Sequence, residues 1–215
     1  MRPLAGASCP VLQQFGDAGG TTTDIGLDGF LKLPYPPDMN EGTLIQLFGP
    51  KWPGCRTASG RYVIESEPDH SPWAAIVKAD SHRVLPRDQV EGKAWDVAVL
   101  WLGALPGAWS ASGEGRLAIA TPHAAEFLMD TKRLQLACGR LQTSNLVASV
   151  PIRGRITVMV DTPRHRAVLL DETRSAFDNA RGDRVCAFPF LIQNGKLTGL
   201  VMSAPVADKA WWKIW

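Results

Sequence analysis

Residues 132–161 read KRLQLACGRLQTSNLVASVPIRGRITVMVD, and this stretch decides the predicted fold. In its first half, alternate positions are held by Leu134, Leu136 and Cys138. The second half alternates in the same way, with one face made by Ile156, Val158 and Val160 and the other by Arg155, Thr157 and Met159. Because successive side chains of a strand point to opposite faces, both halves predict β-strands of a sheet packed on one side. The connection between them is polar and contains Pro151, so we expect two long antiparallel neighbours.

The composition favours a single all-β domain. The chain has 215 residues, of which 45% are hydrophobic and 20% are charged, and it contains 20 Gly and 16 Pro. Frequent Gly and Pro suit many short strands joined by tight turns, and all-β domains often reach this length. We therefore predict a jelly-roll-like β-sandwich over residues 25–215, with one or two short helices, after an irregular N-terminal arm over residues 1–24.

Further segments support this fold class. Residues 42–50, 61–65, 73–78 and 116–120 are typical of short strands, and residues 95–102, WDVAVLWL, are apolar on both faces as in a central strand. Asn194-Gly195 between two apolar runs predicts a hairpin, because both turn residues must accept positive φ. A brief strand is expected at residues 168–170, and residues 171–180 favour a helix. An α+β fold remains the alternative if this segment and residues 124–129 are helices packed on one sheet.

The charge and the cysteine content exclude several classes of protein. A net charge of +2 gives no general electrostatic attraction to nucleic acid or to an anionic membrane. The four cysteines are scattered without CxxC spacing, which favours reduced thiols and a cytoplasmic location over a disulfide framework. The N-terminus lacks a signal-peptide pattern, and no apolar run is long enough to cross a bilayer, so we expect no membrane span.

Two patches carry a resemblance to a known family. Thr143-Ser144-Asn145-Leu146 followed by Gly154-Arg155-Ile156-Thr157-Val158 resembles the late strand pair of jelly-roll capsid proteins of small RNA viruses, of the nodavirus and tetravirus type. Residues 42–50, GTLIQLFGP, look like an early strand of the same proteins. The resemblance implies a coat subunit that associates with copies of itself into a shell in the host cytoplasm and that contacts RNA and a cell-surface receptor. Such proteins usually begin with a basic arm, whereas Arg2 is the one basic residue before Lys32 here. Residues 188–202 also resemble the C-terminal strand pair of an uncharacterised bacterial cytosolic family.

Three groups of residues are candidate contact sites. Basic side chains for nucleic acid or a subunit interface are Lys132, Arg133, Arg153 and Arg155, since Arg153 and Arg155 fall on one side of a strand; a solvated outer face is the alternative. Arg181-Gly182-Asp183 is a receptor-binding tripeptide in a polar segment, with a solvated turn as the alternative. Anchors for a contact with another copy are Trp211, Trp212 and Trp215, unless the tail folds back over the chain's own surface.

No catalytic constellation is recognisable in the sequence. Asp69-His70-Ser71 contains triad residue types, but sequence neighbours cannot converge in triad geometry, so it indicates a polar turn. The four histidines, His70, His82, His123 and His165, lack metal-ligand spacing. We therefore expect no enzymatic activity, no metal and no cofactor. The alternative to a coat subunit is a β-sandwich binding module for carbohydrate or protein, with Trp52 or Trp109 as a stacking platform; hydrolase activity lost on changing His70 or His123 would instead indicate an enzyme.

Overall fold

A computed structural model describes residues 42–78, 81–90, 93–113 and 115–203. These residues form nine strands: Thr43–Phe48 (β1), Gly60–Tyr62 (β2), Trp73–Lys78 (β3), Ser110–Ala111 (β4), Arg116–Ala120 (β5), Asn145–Ser149 (β6), Arg155–Val160 (β7), Phe190–Gln193 (β8) and Lys196–Leu200 (β9). The α-helices within the same residues are Ala94–Ala104 (α1), Thr131–Arg140 (α2) and Pro163–Asn179 (α3). Short 3₁₀ turns lie at Pro53–Arg56, Arg87–Gln89 and Glu126–Met129.

The strands make two antiparallel sheets. One has three strands in the order β1-β3-β2, and the other has six in the order β4-β5-β7-β6-β8-β9. The prediction that the chain forms antiparallel β-sheets is therefore confirmed. The hairpin at Asn194-Gly195 is also confirmed, because both residues have positive φ, 52° and 77°, between the paired strands β8 and β9.

Both faces of the six-stranded sheet are buried, although the sequence predicted strands packed on one side. In β6, Leu146 and Ala148 face the main core, which also receives side chains from β1, α1 and α2. Val147, between them in sequence, packs on the opposite face against Leu169 and Leu170 of α3. Burial on two faces explains why the central strands are apolar at nearly every position, since alternation is lost when neither face meets water.

The first part of the stretch 132–161 forms the helix α2, so the prediction of a strand there is wrong. Asp130 caps α2 by accepting a hydrogen bond from the Arg133 backbone N–H at 3.1 Å. Leu134 and Cys138, four residues apart, are buried, whereas Leu136 is 65% exposed. The stripe that packs on the core therefore has helical spacing, and the period-2 interpretation depended on Leu136, which contributes nothing to that core.

The apolar segment 95–102 is also helical and not a central strand. Ala98 and Leu102, four residues apart in α1, are buried, while Leu100 is 64% exposed. The predicted brief strand at residues 168–170 lies inside α3, which begins at Pro163 after the cap Thr162. The described residues thus contain three α-helices where one or two were predicted.

Some predictions lie outside the described residues. These include the N-terminal arm over residues 1–24, the first part of the predicted domain over residues 25–41, and the tail tryptophans Trp211, Trp212 and Trp215. Within the described ranges, no helix combines the length and the hydropathy needed to cross a membrane.

Candidate functional site

A cleft of about 160 Å³, lined by both apolar and polar side chains, lies beside strand β1, and we call it the Glu126 cleft. Its lining residues are Leu44, Ile45, Gln46, Val77, His82, Pro122, His123, Glu126 and Arg153. They come from β1, β3, the turn after β3, the segment after β5 and the β6–β7 connection. Because His82 and Pro122 are exposed, the cleft opens to solvent on their side.

Glu126 is the buried carboxylate of this cleft, with 1% of its surface exposed. The turn that follows β5 closes through a hydrogen bond from the Ala124 N–H to the Thr121 carbonyl at 3.0 Å, and Glu126 then starts a 3₁₀ turn. Its Oε1 accepts a hydrogen bond from the Leu47 N–H at 3.2 Å, whereas its Oε2 is buried with no hydrogen-bond partner among the described residues. Burial raises the pKa of this carboxyl above its ordinary value.

Arg153 completes the polar wall of the cleft. Its Nη2 donates to the Leu47 carbonyl at 2.9 Å, and its Nε lies 3.6 Å from Glu126 Oε1. With the Gln46 amide oriented so that its oxygen faces Arg153, this oxygen accepts from Nη1 and Nη2 at 2.8 Å. Arg153 Nε is itself buried and makes no hydrogen bond within the described part of the chain.

The edge of β1 is therefore sealed by side chains. β1 is an edge strand, and its Leu47 N–H and carbonyl are bound by Glu126 and Arg153 instead of by a neighbouring strand. Side chains that satisfy an edge in this way keep its backbone groups from pairing with other chains. They also place a carboxylate and a guanidinium side by side at the wall of a cavity.

Two histidines stand at the mouth of the cleft. The rings of His82 and His123 stack with centroids 6.3 Å apart and planes 20° apart. Partial burial lowers the pKa of His123, and the neighbouring His82 and Arg153 lower it further. His123 is thus neutral at pH 7, with one ring nitrogen able to donate and the other able to accept a hydrogen bond.

The site can hold a small polar molecule by hydrogen bonds. Its lining includes Glu126 and Arg153, whose buried Oε2 and Nε–H make no hydrogen bond with the described residues, together with two imidazoles and an apolar wall of Leu44, Ile45 and Val77. Across the described ranges, no group of three or more His, Cys, Asp or Glu side chains is arranged to hold a metal ion.

The predicted basic residues do not form one surface. Lys132 and Arg155 are exposed, and Arg153 lies in the connection before β7, not within that strand. Arg133 is buried, which corrects its prediction as a nucleic-acid or interface contact. It pairs with Asp130 Oδ2 at 3.2 Å and donates to the carbonyls of Leu105 and Gly107 beyond the end of α1. Its guanidinium is therefore used within the fold.

The Arg181-Gly182-Asp183 tripeptide lies in the exposed loop between α3 and β8, as expected for a displayed segment. Asp183 has a φ of 53°, and its Oδ1 lies 3.8 Å from Arg153 Nη1. This loop therefore contacts the same arginine that lines the Glu126 cleft. Its receptor-binding role stays a prediction.

The two proposed stacking tryptophans differ in exposure. Trp109 is buried and donates its Nε1–H to the Arg133 carbonyl at 2.8 Å, so it is not available as a platform. Trp52 is half-buried and stacks on Phe48, with ring centroids 4.2 Å apart. One face of Trp52 is thus already occupied.

Sequence reasoning named Arg153 and His123 but missed Glu126 and Gln46 as site residues. The signal for Glu126 was present, because it is the single charged residue within the apolar segment 124–129, AAEFLM. An acidic side chain in such a setting is buried only when it is paired or has a special role.

The chain matches no protein-family model, no curated protein and no solved structure. The two patches on which the capsid resemblance depends correspond to β1 and to the hairpin β6–β7.

Proposed function

We propose that this protein is a binding module without enzymatic activity, which holds a small polar ligand in the Glu126 cleft. The observation that carries this proposal is the buried Glu126 Oε2, which lacks a partner among the described residues at the wall of an open cavity. Leaving a buried acceptor unpaired costs about 1–3 kcal/mol, so such an atom is normally satisfied by a ligand or by ordered water.

The size of the cleft supports a ligand. A protein cavity of about 150 Å³ holds benzene, so a volume of about 160 Å³ accommodates roughly six non-hydrogen atoms. The lining residues supply hydrogen-bonding groups and two imidazoles but no hydroxyl or thiol nucleophile. These features favour recognition of a small molecule over covalent chemistry on it.

A fragment screen by protein-observed NMR tests this proposal. Fragments of neutral, anionic and cationic character are added to the full chain, and we expect some of them to shift the amide resonances of Gln46, His123 and Arg153. The variant His123→Trp, which fills the mouth of the cleft, abolishes those shifts, whereas Lys132→Ala, on the exposed face of α2, preserves them. The proposal is overturned if no fragment shifts these resonances in the folded wild-type chain.

A coat subunit that self-assembles into a shell is the second proposal. It is supported by exposed apolar side chains on two helices, Val97 and Leu100 on α1 and Leu136 on α2, which suit a contact between copies. Under this proposal the chain occurs in virions, and RNA and a cell-surface receptor are its further partners.

The coat proposal includes a jelly-roll arrangement of the sheets. Two antiparallel sheets and the hairpin β6–β7 support it, although the described sheets have three and six strands and not the four and four of a double Greek key. Size-exclusion chromatography with electron microscopy of the purified chain tests it. Oligomers or particles are expected, and a monomer at high concentration without particles contradicts it.

A further inference from the structure

We propose that the ligand of the Glu126 cleft is an uncharged carboxamide, an inference that rests on the proposed binding function. The ligand's amide N–H donates to Glu126 Oε2, and its carbonyl accepts from Arg153 Nε–H. The inference follows from three properties of the cleft, which are its unpaired hydrogen-bonding groups, its charge balance and its size.

The two unpaired groups are complementary to an amide. Glu126 Oε2 is an acceptor and Arg153 Nε–H is a donor, and neither has a hydrogen-bond partner among the described residues. They belong to side chains in contact, because Arg153 Nε lies 3.6 Å from Glu126 Oε1. A carboxamide carries a donor nitrogen and an acceptor oxygen on one carbon, so a single group can satisfy both. A carboxylate offers only acceptors and an ammonium only donors, so each leaves one of the two groups unpaired.

The charges around the cleft favour a neutral ligand. The Glu126 carboxylate and the Arg153 guanidinium offset each other, and the Asp183 carboxylate, 3.8 Å from the same guanidinium and 75% exposed, adds a solvent-screened negative charge that disfavours an anion. His123 is neutral at pH 7, and its ring stacks with His82. A charged ligand would bring an unbalanced charge next to the buried Glu126 carboxylate, which is costly because this carboxylate is shielded from water.

The cavity also limits the rest of the ligand. Leu44, Ile45 and Val77 form an apolar wall, which suits a short alkyl group attached to the amide carbon. A volume of about 160 Å³ holds roughly six non-hydrogen atoms, which matches a short aliphatic amide or the end of a glutamine side chain.

A matched set of probes tests the inference. Propionamide, propionate and n-propylammonium have similar alkyl groups and differ in charge and hydrogen-bonding pattern. We expect propionamide to bind the full chain at least about tenfold more tightly than the two charged probes, since each of these leaves a buried group unpaired. NMR titrations following Gln46, His123 and Arg153 measure the three affinities.

The tripeptides Gly-Gln-Gly and Gly-Glu-Gly extend the test to a peptide side chain as the source of the amide. Preference for Gly-Gln-Gly indicates a protein ligand, and binding of propionamide alone indicates a free small molecule.

Two variants test whether propionamide binds in the Glu126 cleft. Glu126→Gln keeps the size of the side chain but replaces the acceptor Oε2 with an NH₂ donor, so propionamide affinity falls by about tenfold or more. Glu172→Gln removes a surface carboxylate that pairs with Arg116 and leaves the affinity unchanged. If Glu126→Gln fails to fold, the wild-type chain supplies the test, because binding weakens as Glu126 becomes protonated on acidification.

The outcomes separate this inference from the proposed function. Tight binding of propionate or n-propylammonium in the cleft overturns the amide inference and leaves a binding module. Propionamide affinity that is unchanged in a folded Glu126→Gln variant also overturns it. If no probe and no fragment reaches the cleft, both the inference and the proposed function are overturned.

Discussion

Two arginine–carboxylate pairs in this protein look alike but differ in how completely they are hydrogen-bonded. Arg133 pairs with Asp130, binds the carbonyls of Leu105 and Gly107, and stacks its guanidinium 3.7 Å from the centre of the Phe127 ring. Arg153 pairs with Glu126, yet its Nε and the Glu126 Oε2 are buried without hydrogen-bond partners among the described residues.

The difference separates a structural pair from a candidate site. The Arg133 pair connects the start of α2 to the end of α1 and borders no cavity described above, so all of its interactions serve the fold. The Arg153 pair seals the edge of β1 and also borders an open cleft. Unpaired polar atoms beside an accessible cavity are an indication of ligand binding that buried charge alone does not give.

The largest expected loss of stability comes from removing Arg133, the arginine whose interactions all lie within the fold. Arg133→Ala leaves Asp130 buried without its partner and frees the carbonyls beyond α1, so the free energy of unfolding falls by about 3–5 kcal/mol. Urea denaturation followed by circular dichroism measures this change. The neighbouring exposed Lys132→Ala is the control and changes stability by less than about 0.5 kcal/mol. Equal effects of the two substitutions would show that Arg133 is not buried as described.

Removing Arg153, whose Nε makes no hydrogen bond with the described residues, lowers the stability less. In Arg153→Ala, Glu126 loses its neighbouring cation and Leu47 loses a hydrogen bond, but 26% of the Arg153 side chain is already exposed. We expect the free energy of unfolding to fall by about 2 kcal/mol in the same assay. Arg155→Ala, two residues away and exposed, is the matched control. A loss as large as that of Arg133→Ala would contradict the distinction between the two pairs.

The buried carboxylate gives stability a characteristic pH dependence. Burial raises the pKa of Glu126 from its ordinary value of 4.5, so the folded chain keeps this proton to a higher pH than the unfolded chain. As the pH rises from 4.5 through the raised pKa, the Glu126 contribution to the free energy of unfolding falls, with a slope of at most about 1.4 kcal/mol per pH unit. Glu126→Gln removes this contribution, which denaturation curves at several pH values measure. An identical pH profile in the two proteins would show that Glu126 is not desolvated.

The smallest expected effect is a pH dependence of stability due to His123, and it has the opposite sign to that of Glu126. Burial lowers its pKa below 6.5, so below pH 6.5 the unfolded chain takes up a proton before the folded chain does. Stability therefore decreases as the pH falls from 6.5 through the lowered pKa, and His123→Asn weakens that decrease. His165→Asn, outside the cleft, is the matched control. If His165→Asn and His123→Asn flatten the profile equally, the effect does not come from the cleft.

The fold was predictable where local chemistry determined it. Asn194-Gly195 predicted the hairpin because few residues accept positive φ. The strands β1, β3 and β5 were predicted from short apolar runs, and β7 was predicted from the alternation of its side chains. The helices α1 and α2 were missed because their exposed faces carry Leu100 and Leu136, which make a helical stripe look like a strand.

The candidate site was less predictable because its residues are far apart in sequence. Gln46, His82, Glu126 and Arg153 come together only when β1 packs against the segments that follow β5 and β6. The sequence showed that Glu126 sits among apolar residues, but burial with an unpaired oxygen depends on tertiary packing. The same limit applies to Arg133 and Arg153, which have the same chemistry in sequence and different roles in the fold.

The most direct test of the central claim is the pKa of Glu126 measured with and without propionamide. A ¹³C NMR titration of the side-chain carboxyls, with Glu126 assigned through Glu126→Gln, gives this value. We predict a midpoint above 4.5 in the free protein and a lower midpoint with bound propionamide, because a hydrogen bond to Oε2 stabilises the ionised form. A midpoint at or below 4.5, or one that saturating propionamide leaves unchanged, would contradict it.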